Sequence, residues 1–130
     1  KNLRKVLNFG HTFAHAYEAS LGFSKILNHG EAVILGIYTA LKFSHQNKLL
    51  NKSEYHSIKE HIENSKLPYN IKKYFSLKHI KKIIMFMLKD KKNNSEKINL
   101  ILLKKIGFPI INKTYSKNNL YLFLKRELVN

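Results

Sequence analysis

Cysteine is absent from the 130 residues, and no apolar run is long enough to span a membrane. Without cysteine there is no disulfide framework and no thiolate zinc site, so any metal must be held by histidine, aspartate or glutamate. Because a membrane-spanning helix needs about 20 apolar residues, we expect no membrane partner. A chain of this length buries one core, which predicts a single domain over residues 1–130.

The chain also lacks an initiating methionine, since it begins at Lys1 and its helical pattern starts at once. We expect no signal peptide before that pattern. We therefore expect a domain cut from a longer protein, and the lack of cysteine is compatible with a cytoplasmic location.

Arginine is scarce: Arg4 and Arg126 are the only two, although the formal net charge is +16. A nucleic-acid interface would favour arginine interleaved with exposed aromatics, or a known motif, and neither is present. Abundant lysine, asparagine and isoleucine indicate a compositional bias of the encoding genome. A basic nucleic-acid-binding domain remains an alternative, and it predicts steep salt dependence and no loss of binding on His11→Ala.

Hydrophobic periodicity predicts a mainly α fold with a short β segment near residues 97–112. Gly22 is expected to end the first helix, and the apolar second helix is expected to be central. In the fourth helix, the inner face is predicted to carry Leu77, Ile80, Ile83, Ile84 and Met87. The predicted helices cover about residues 2–20, 30–48, 51–65, 77–88 and 116–128, with Asn51 and Ser116 as caps, and the strands cover 98–103 and 107–111.

Polar residues fall on one stripe of the first predicted helix. Their spacing is i, i+4, i+7 and i+11, and Glu18 continues the stripe. A face with one guanidinium, one amide and two imidazoles is costly to bury without partners. The stripe therefore indicates an anionic or metallic ligand. Its members are Arg4, Asn8, His11 and His15.

His11 and His15 form an i, i+4 pair, a spacing that can place two imidazoles on one metal. Alone the pair is a weak signal, and His15 could simply hydrogen-bond Glu18 or the backbone. His29 opens the next helix, where the helix dipole favours a neutral imidazole, the form that binds metals. We interpret Glu31, two residues on, as a charge stabilised by the dipole rather than as a ligand.

The whole run of residues 4–19 resembles the signature of 3-dehydroquinate synthase, and residues 27–33 resemble its second signature. Further similarities lie at residues 66–68, 90–92 and 98–107. The resemblance covers nearly the whole chain, in order. It implies the multi-helix C-terminal domain of the dehydroquinate synthase-like fold, without the N-terminal NAD-binding domain.

This resemblance implies a phosphate-eliminating lyase of the shikimate pathway, which converts 3-deoxy-D-arabino-heptulosonate 7-phosphate to 3-dehydroquinate and phosphate. The family uses NAD, bound mainly by the N-terminal domain, and a divalent metal, usually zinc. By the resemblance, His11 and His29 are metal ligands, and a glutamate outside this chain is the third. Such a metal keeps positions open for substrate and acts as a Lewis acid.

The resemblance also assigns the residues that bind the sugar-phosphate substrate. His15 and Asn8 contact its phosphate, and Arg4 binds its carboxylate in a bidentate fork. A lysine closes over the phosphate, and we prefer Lys91 to Lys92. Adjacent lysines usually belong to a solvated loop, so that alternative stays open.

Three residues depart from the family pattern: Ala14, Tyr17 and Asn28. None is a group proposed for the chemistry, although Asn28 directly precedes His29 and affects where the His29 side chain points. A related sugar phosphate cyclase or a metal-dependent polyol dehydrogenase remains an alternative. The family further implies a cytoplasmic homodimer, and we expect residues 1–130 alone to bind metal weakly and to be inactive.

Overall fold

The computed structural model describes residues 9–89, 97–105 and 108–129, and this part of the chain is mainly helical, as predicted. Two 3₁₀ turns, Ile71–Lys73 and Leu77–His79, precede the fourth helix. The helices and strands are α1 (His11–Ser20), α2 (His29–Gln46), α3 (Lys52–Asn64), α4 (Ile80–Leu88), β1 (Lys97–Lys105), β2 (Phe108–Ser116) and α5 (Lys117–Val129).

The prediction of one continuous helix over residues 2–20 is wrong, because Phe9 and Gly10 form a turn and α1 begins at His11. Gly10 has a φ of +80°, a left-handed conformation that favours glycine. A Cβ atom on Gly10 would lie 2.6 Å from the carbonyl carbon of Gly36, so the two backbones touch. The part of the predicted helix in residues 1–8 lies outside the described residues.

The end of α1 follows the prediction for Gly22. This glycine has a φ of +66° and lies one residue past the C-cap, Leu21. Its N–H donates to the carbonyl of Ala19 at 3.0 Å, and the N–H of Phe23 donates to the carbonyl of Glu18 at 2.9 Å. These two bonds form a Schellman motif, which satisfies carbonyls that a helix end leaves free.

Asn28 starts α2 with a reciprocal capping box. Its Oδ1 accepts from the N–H of Glu31 at 2.8 Å, and the Oε1 of Glu31 accepts from the N–H of Asn28 at 2.9 Å. Glu31 therefore stabilises the helix start, in agreement with its interpretation as an N-terminal charge. The helix is central, since it packs against α1, α3 and β1. Among the described helices, α2 included, none is long and apolar enough to cross a bilayer.

The N-caps predicted from the sequence at Asn51 and Ser116 are confirmed. Asn51 accepts from the N–H of Glu54 at 2.9 Å and starts α3, and Ser116 accepts from the N–H of Asn119 at 3.2 Å and starts α5. Each cap binds an N–H group only three residues ahead, so a few consecutive residues are enough to predict it.

The first turn of the fourth predicted helix is 3₁₀ rather than α, so α4 begins only at Ile80. The N–H of His79 donates to the carbonyl of Ser76 at 2.9 Å, which closes this tighter turn. Leu77 is consequently 50 % exposed, and its placement on the inner face was wrong. The other four predicted core residues of this segment are buried.

The β segment is an antiparallel pair in which Lys97 lies opposite Ser116 and Leu100 opposite Lys113. The strands are longer than predicted and reach residue 116. Ile98, Leu100 and Leu102 are buried, which is the period of two expected of one sheet face. This face packs toward α2.

Tyr17 lies at the centre of the core, with no exposed surface and its ring 5.2 Å from that of Phe75. Its oxygen is 2.8 Å from Oγ1 of Thr39. Because the hydroxyl of Thr39 donates to the carbonyl of Leu35 at 2.7 Å, Tyr17 must be the donor in its bond to Thr39. Burial raises the pKa of Tyr17 above its ordinary value. Tyr17, one of the departures from the family pattern, is thus a residue of the core.

We expect Tyr17→Phe to lower the free energy of unfolding by about 0.5–1.5 kcal/mol, because it removes one buried hydrogen bond and keeps the ring. The measurement is the urea midpoint of the full-length protein. Tyr121→Phe, at a partly exposed position on α5, is the control and should leave the midpoint nearly unchanged. Equal midpoints for both variants would contradict the role given to the Tyr17 hydroxyl.

Candidate functional site

Helix α1 presents two histidines to solvent from one side. His11 and His15 are both exposed, and their rings stack with centroids 5.8 Å apart and an angle of 13° between planes. The ring of Phe23, itself 65 % exposed, lies edge-on to His15 at 6.3 Å. The predicted pairing of these histidines on one helix face is therefore present.

The position of His11 is set by the contact of Gly10 with Gly36 at the start of α1. A Cβ on Gly36 would lie 2.5 Å from the carbonyl oxygen of Gly10 and 2.7 Å from the amide nitrogen of Ala14. Because Gly36 has no side chain, the backbone of α1 can cross α2 through the space that a Cβ would occupy. The methyl group of Ala14, a departure from the family pattern, fits because residue 36 of α2 is glycine.

His29 is the first residue of α2, and its side chain is 78 % exposed. Its Nδ1 lies 3.1 Å and 3.2 Å from the two carboxylate oxygens of Glu18, a side chain that is only 13 % exposed. The helical spacing allowed Glu18 to pair with His15, whereas in the structure Glu18 pairs with His29. Only the place of Glu18 on the polar stripe pointed to a role for it.

Within residues 9–89, 97–105 and 108–129, no group of three or more histidine, aspartate or glutamate side chains is arranged to hold a metal ion. His11 contacts His15, and His29 contacts Glu18, so the two predicted ligands have different partners. The ligand pair His11 and His29 accordingly stays a prediction. The bond from Nδ1 of His29 to a carboxylate does fit a metal ligand, because metal-bound histidines usually donate their other N–H in this way.

The remaining predicted site residues, Arg4, Asn8, Lys91 and Lys92, lie outside the described residues. Of the predicted set, the structure therefore places His11, His15 and His29. All three are exposed: His11 at the start of α1, His15 one turn further along it, and His29 at the start of α2. This surface, open to solvent and rich in imidazole, is suited to ligands that carry negative charge or bind metal.

A model of the family "3-dehydroquinate synthase C-terminal" matches residues 1–93. The 3-dehydroquinate synthase of Pelagibacter ubique is 56 % identical over 97 % of this chain and 34 % of its own length. The enzyme of Zymomonas mobilis is 34 % identical over 96 % of this chain and 33 % of its own. That of Leptospira interrogans is 38 % identical over 96 % and 33 %. The chain thus spans about a third of the length of these curated relatives.

Two crystal structures of 2-deoxy-scyllo-inosose synthase resemble the described fold. The first, complexed with carbaglucose-6-phosphate, NAD+ and Co2+, has a TM-score of 0.67 at 20 % identity over 92 % of this chain and 32 % of its own. The second has a TM-score of 0.66 at 17 % identity over 92 % and 31 %. This likeness confirms the fold predicted from the sequence.

Proposed function

The chain belongs to the 3-dehydroquinate synthase C-terminal family, and on that premise we propose that it is the metal- and substrate-binding domain of a 3-dehydroquinate synthase. The full-length protein would convert 3-deoxy-D-arabino-heptulosonate 7-phosphate to 3-dehydroquinate and phosphate, a step of the shikimate pathway. The observation that carries the proposal is the 56 % identity to such a synthase over 97 % of the chain. The match of the family model to residues 1–93, which include both histidine-containing segments, supports it.

NAD and a divalent metal, which the family resemblance implies is zinc, would be the cofactors. A related synthase has been crystallised with NAD+ and Co2+, which supports a dinucleotide and a divalent metal. The N-terminal domain of the same polypeptide would bind most of the NAD, and residues 1–130 would form one C-terminal domain beside it. That arrangement agrees with a chain that spans a third of its relatives.

His11 and His29 would hold the metal, with a glutamate of the N-terminal domain as third ligand. Bound there, the metal would act as a Lewis acid on the substrate hydroxyls. His15 lies one turn along α1 from His11 and is exposed, so it could reach a phosphate bound over the helix. Imidazoles at this surface suit a ligand that carries a carboxylate and a phosphate.

Three further residues would complete substrate binding. Arg4 would take the carboxylate, since a guanidinium forms two parallel hydrogen bonds with it. Asn8 would join His15 at the phosphate, and Lys91 would close over that phosphate as a point charge. The net charge of +16 would add general attraction for such an anion.

The partners of the chain would be this small anionic substrate, the N-terminal domain and a second subunit in a homodimer. We propose a cytoplasmic location and no nucleic-acid or membrane partner. Because the proposed NAD-binding domain and third metal ligand lie outside residues 1–130, these residues alone should bind metal weakly through two histidines and show no turnover. Turnover by the isolated chain would contradict the need for the N-terminal domain.

A related sugar phosphate cyclase is the second candidate, because the described fold resembles 2-deoxy-scyllo-inosose synthase at a TM-score of 0.67. At 20 % identity this likeness concerns the fold, whereas the 3-dehydroquinate synthase of Pelagibacter ubique is 56 % identical to this chain over the aligned residues. The carboxylate site expected at Arg4 also favours the heptulosonate, since a hexose 6-phosphate has no carboxylate.

The test is phosphate release by the full-length protein with NAD and zinc, with two substrates offered separately. Release from 3-deoxy-D-arabino-heptulosonate 7-phosphate, and not from a hexose 6-phosphate, is expected. Omission of NAD or chelation of zinc should stop the release. A folded, NAD-bound and metal-loaded protein that acts only on the hexose phosphate would reverse the assignment in favour of the related cyclase.

A further inference from the structure

The carboxylate of Glu18 faces the ring of His29 with both oxygens. The distances from Nδ1 are 3.1 Å and 3.2 Å, so the contact is shared almost equally between them. Glu18 is 13 % exposed while His29 is 78 % exposed. The carboxylate is thus covered by protein, and the imidazole extends from it into solvent.

Glu18 is held in place by the end of α1. Its carbonyl accepts from the N–H of Leu21 at 3.3 Å and from that of Phe23 at 2.9 Å, as part of the Schellman motif. Its neighbours Tyr17 and Ala19 are buried. Shielding this carboxylate from water costs free energy unless a polar group pairs with it. His29 is that partner, although the two residues are 11 apart in the chain.

The other acidic side chain near the start of α2 already has a different role. Glu31 accepts the N–H of Asn28 in the capping box, and Asn28 accepts the N–H of Glu31. Among the described residues, the carboxylate that contacts His29 is therefore that of Glu18. The capping box holds the backbone of His29 at the first position of α2, and Glu18 contacts its ring.

We propose that Glu18 is a positioning residue that orients His29 for metal binding, a proposal that rests on His29 being a ligand as set out above. A neutral imidazole carries one N–H and one free nitrogen. When Nδ1–H donates to Glu18, the proton is absent from Nε2, whose lone pair then points away from the carboxylate. Carboxylates placed in this way select the tautomer and the ring orientation of metal-binding histidines.

The experiment measures the zinc affinity of the full-length protein by competition with a chelator. Glu18→Ala should weaken zinc binding about 10- to 100-fold, the usual cost of losing such a partner. Glu18→Gln should lose less, because its amide oxygen can still accept from Nδ1–H. Glu60→Gln, the same change at an exposed position of α3, is the matched control and should bind zinc normally. Urea midpoints of the metal-free variants establish that each is folded.

A double-mutant cycle with His29→Ala separates this inference from the proposed function. His29→Ala should weaken zinc binding strongly, and adding Glu18→Ala to it should weaken binding no further. If His29→Ala weakens binding and neither Glu18 variant does, the positioning role is wrong and the ligand role stands. If Glu18→Ala still weakens binding in the His29→Ala background, Glu18 acts by another route. Unchanged affinity in His29→Ala would overturn both the ligand role and the positioning role.

Discussion

Replacing His11 by alanine in the full-length protein is expected to abolish phosphate release and leave the fold intact. His11 is the exposed first residue of α1, and alanine is the best helix former, so the helix should persist. The proposed metal would lose one of three protein ligands. Because even the loss of an outer-shell partner costs 10- to 100-fold, we expect activity and zinc affinity to fall by more than about 100-fold.

The measurements are phosphate release, bound zinc per protein and the urea midpoint. His61→Ala is the control, since His61 is an exposed histidine on α3, away from the polar stripe of α1. It should keep the activity, the zinc and the midpoint of the wild type. A His11→Ala protein with normal zinc content and normal turnover would remove His11 from the metal site, whatever the reaction proves to be.

The parts of the fold that the sequence predicts well are those whose cause is local. Asn51 and Ser116 bind N–H groups three residues ahead, so each cap is visible in a window of a few residues. Gly22 ends α1 through bonds within six residues. The strands were predicted too short, because they gain their outer residues from pairing with each other.

The turn at Gly10 could not be predicted, because its cause lies 26 residues away in Gly36. The apolar periodicity of the first segment continues through Phe9, so the pattern alone favours an unbroken helix. The same limit applies to the candidate site. The exposure of His11 and His15 on one face follows from their spacing, whereas the pairing of Glu18 with His29 needs the crossing of α1 and α2.

Gly36→Ala should therefore destabilise the protein, although residue 36 lies in the middle of a helix, where alanine is intrinsically favoured by about 1 kcal/mol. The new Cβ would lie 2.5 Å from the carbonyl oxygen of Gly10, 2.7 Å from the amide nitrogen of Ala14 and 2.8 Å from its Cβ. Two of these atoms belong to the backbone, so no side-chain rotation can relieve the contact. Helix α1 must move, and we expect a loss of about 1–3 kcal/mol or more in the free energy of unfolding.

Gly30→Ala is the matched control, because it makes the same change in the same helix. Among the described residues, the new Cβ would there meet only Oδ1 of Asn28, at an ordinary 3.6 Å. This variant should be as stable as the wild type or more stable by up to about 1 kcal/mol. The urea midpoints of both variants give the comparison, and zinc affinity shows whether α1 has shifted. If Gly36→Ala proves as stable as Gly30→Ala and binds zinc normally, α1 separates from α2 without cost, and the position of His11 does not depend on this backbone contact.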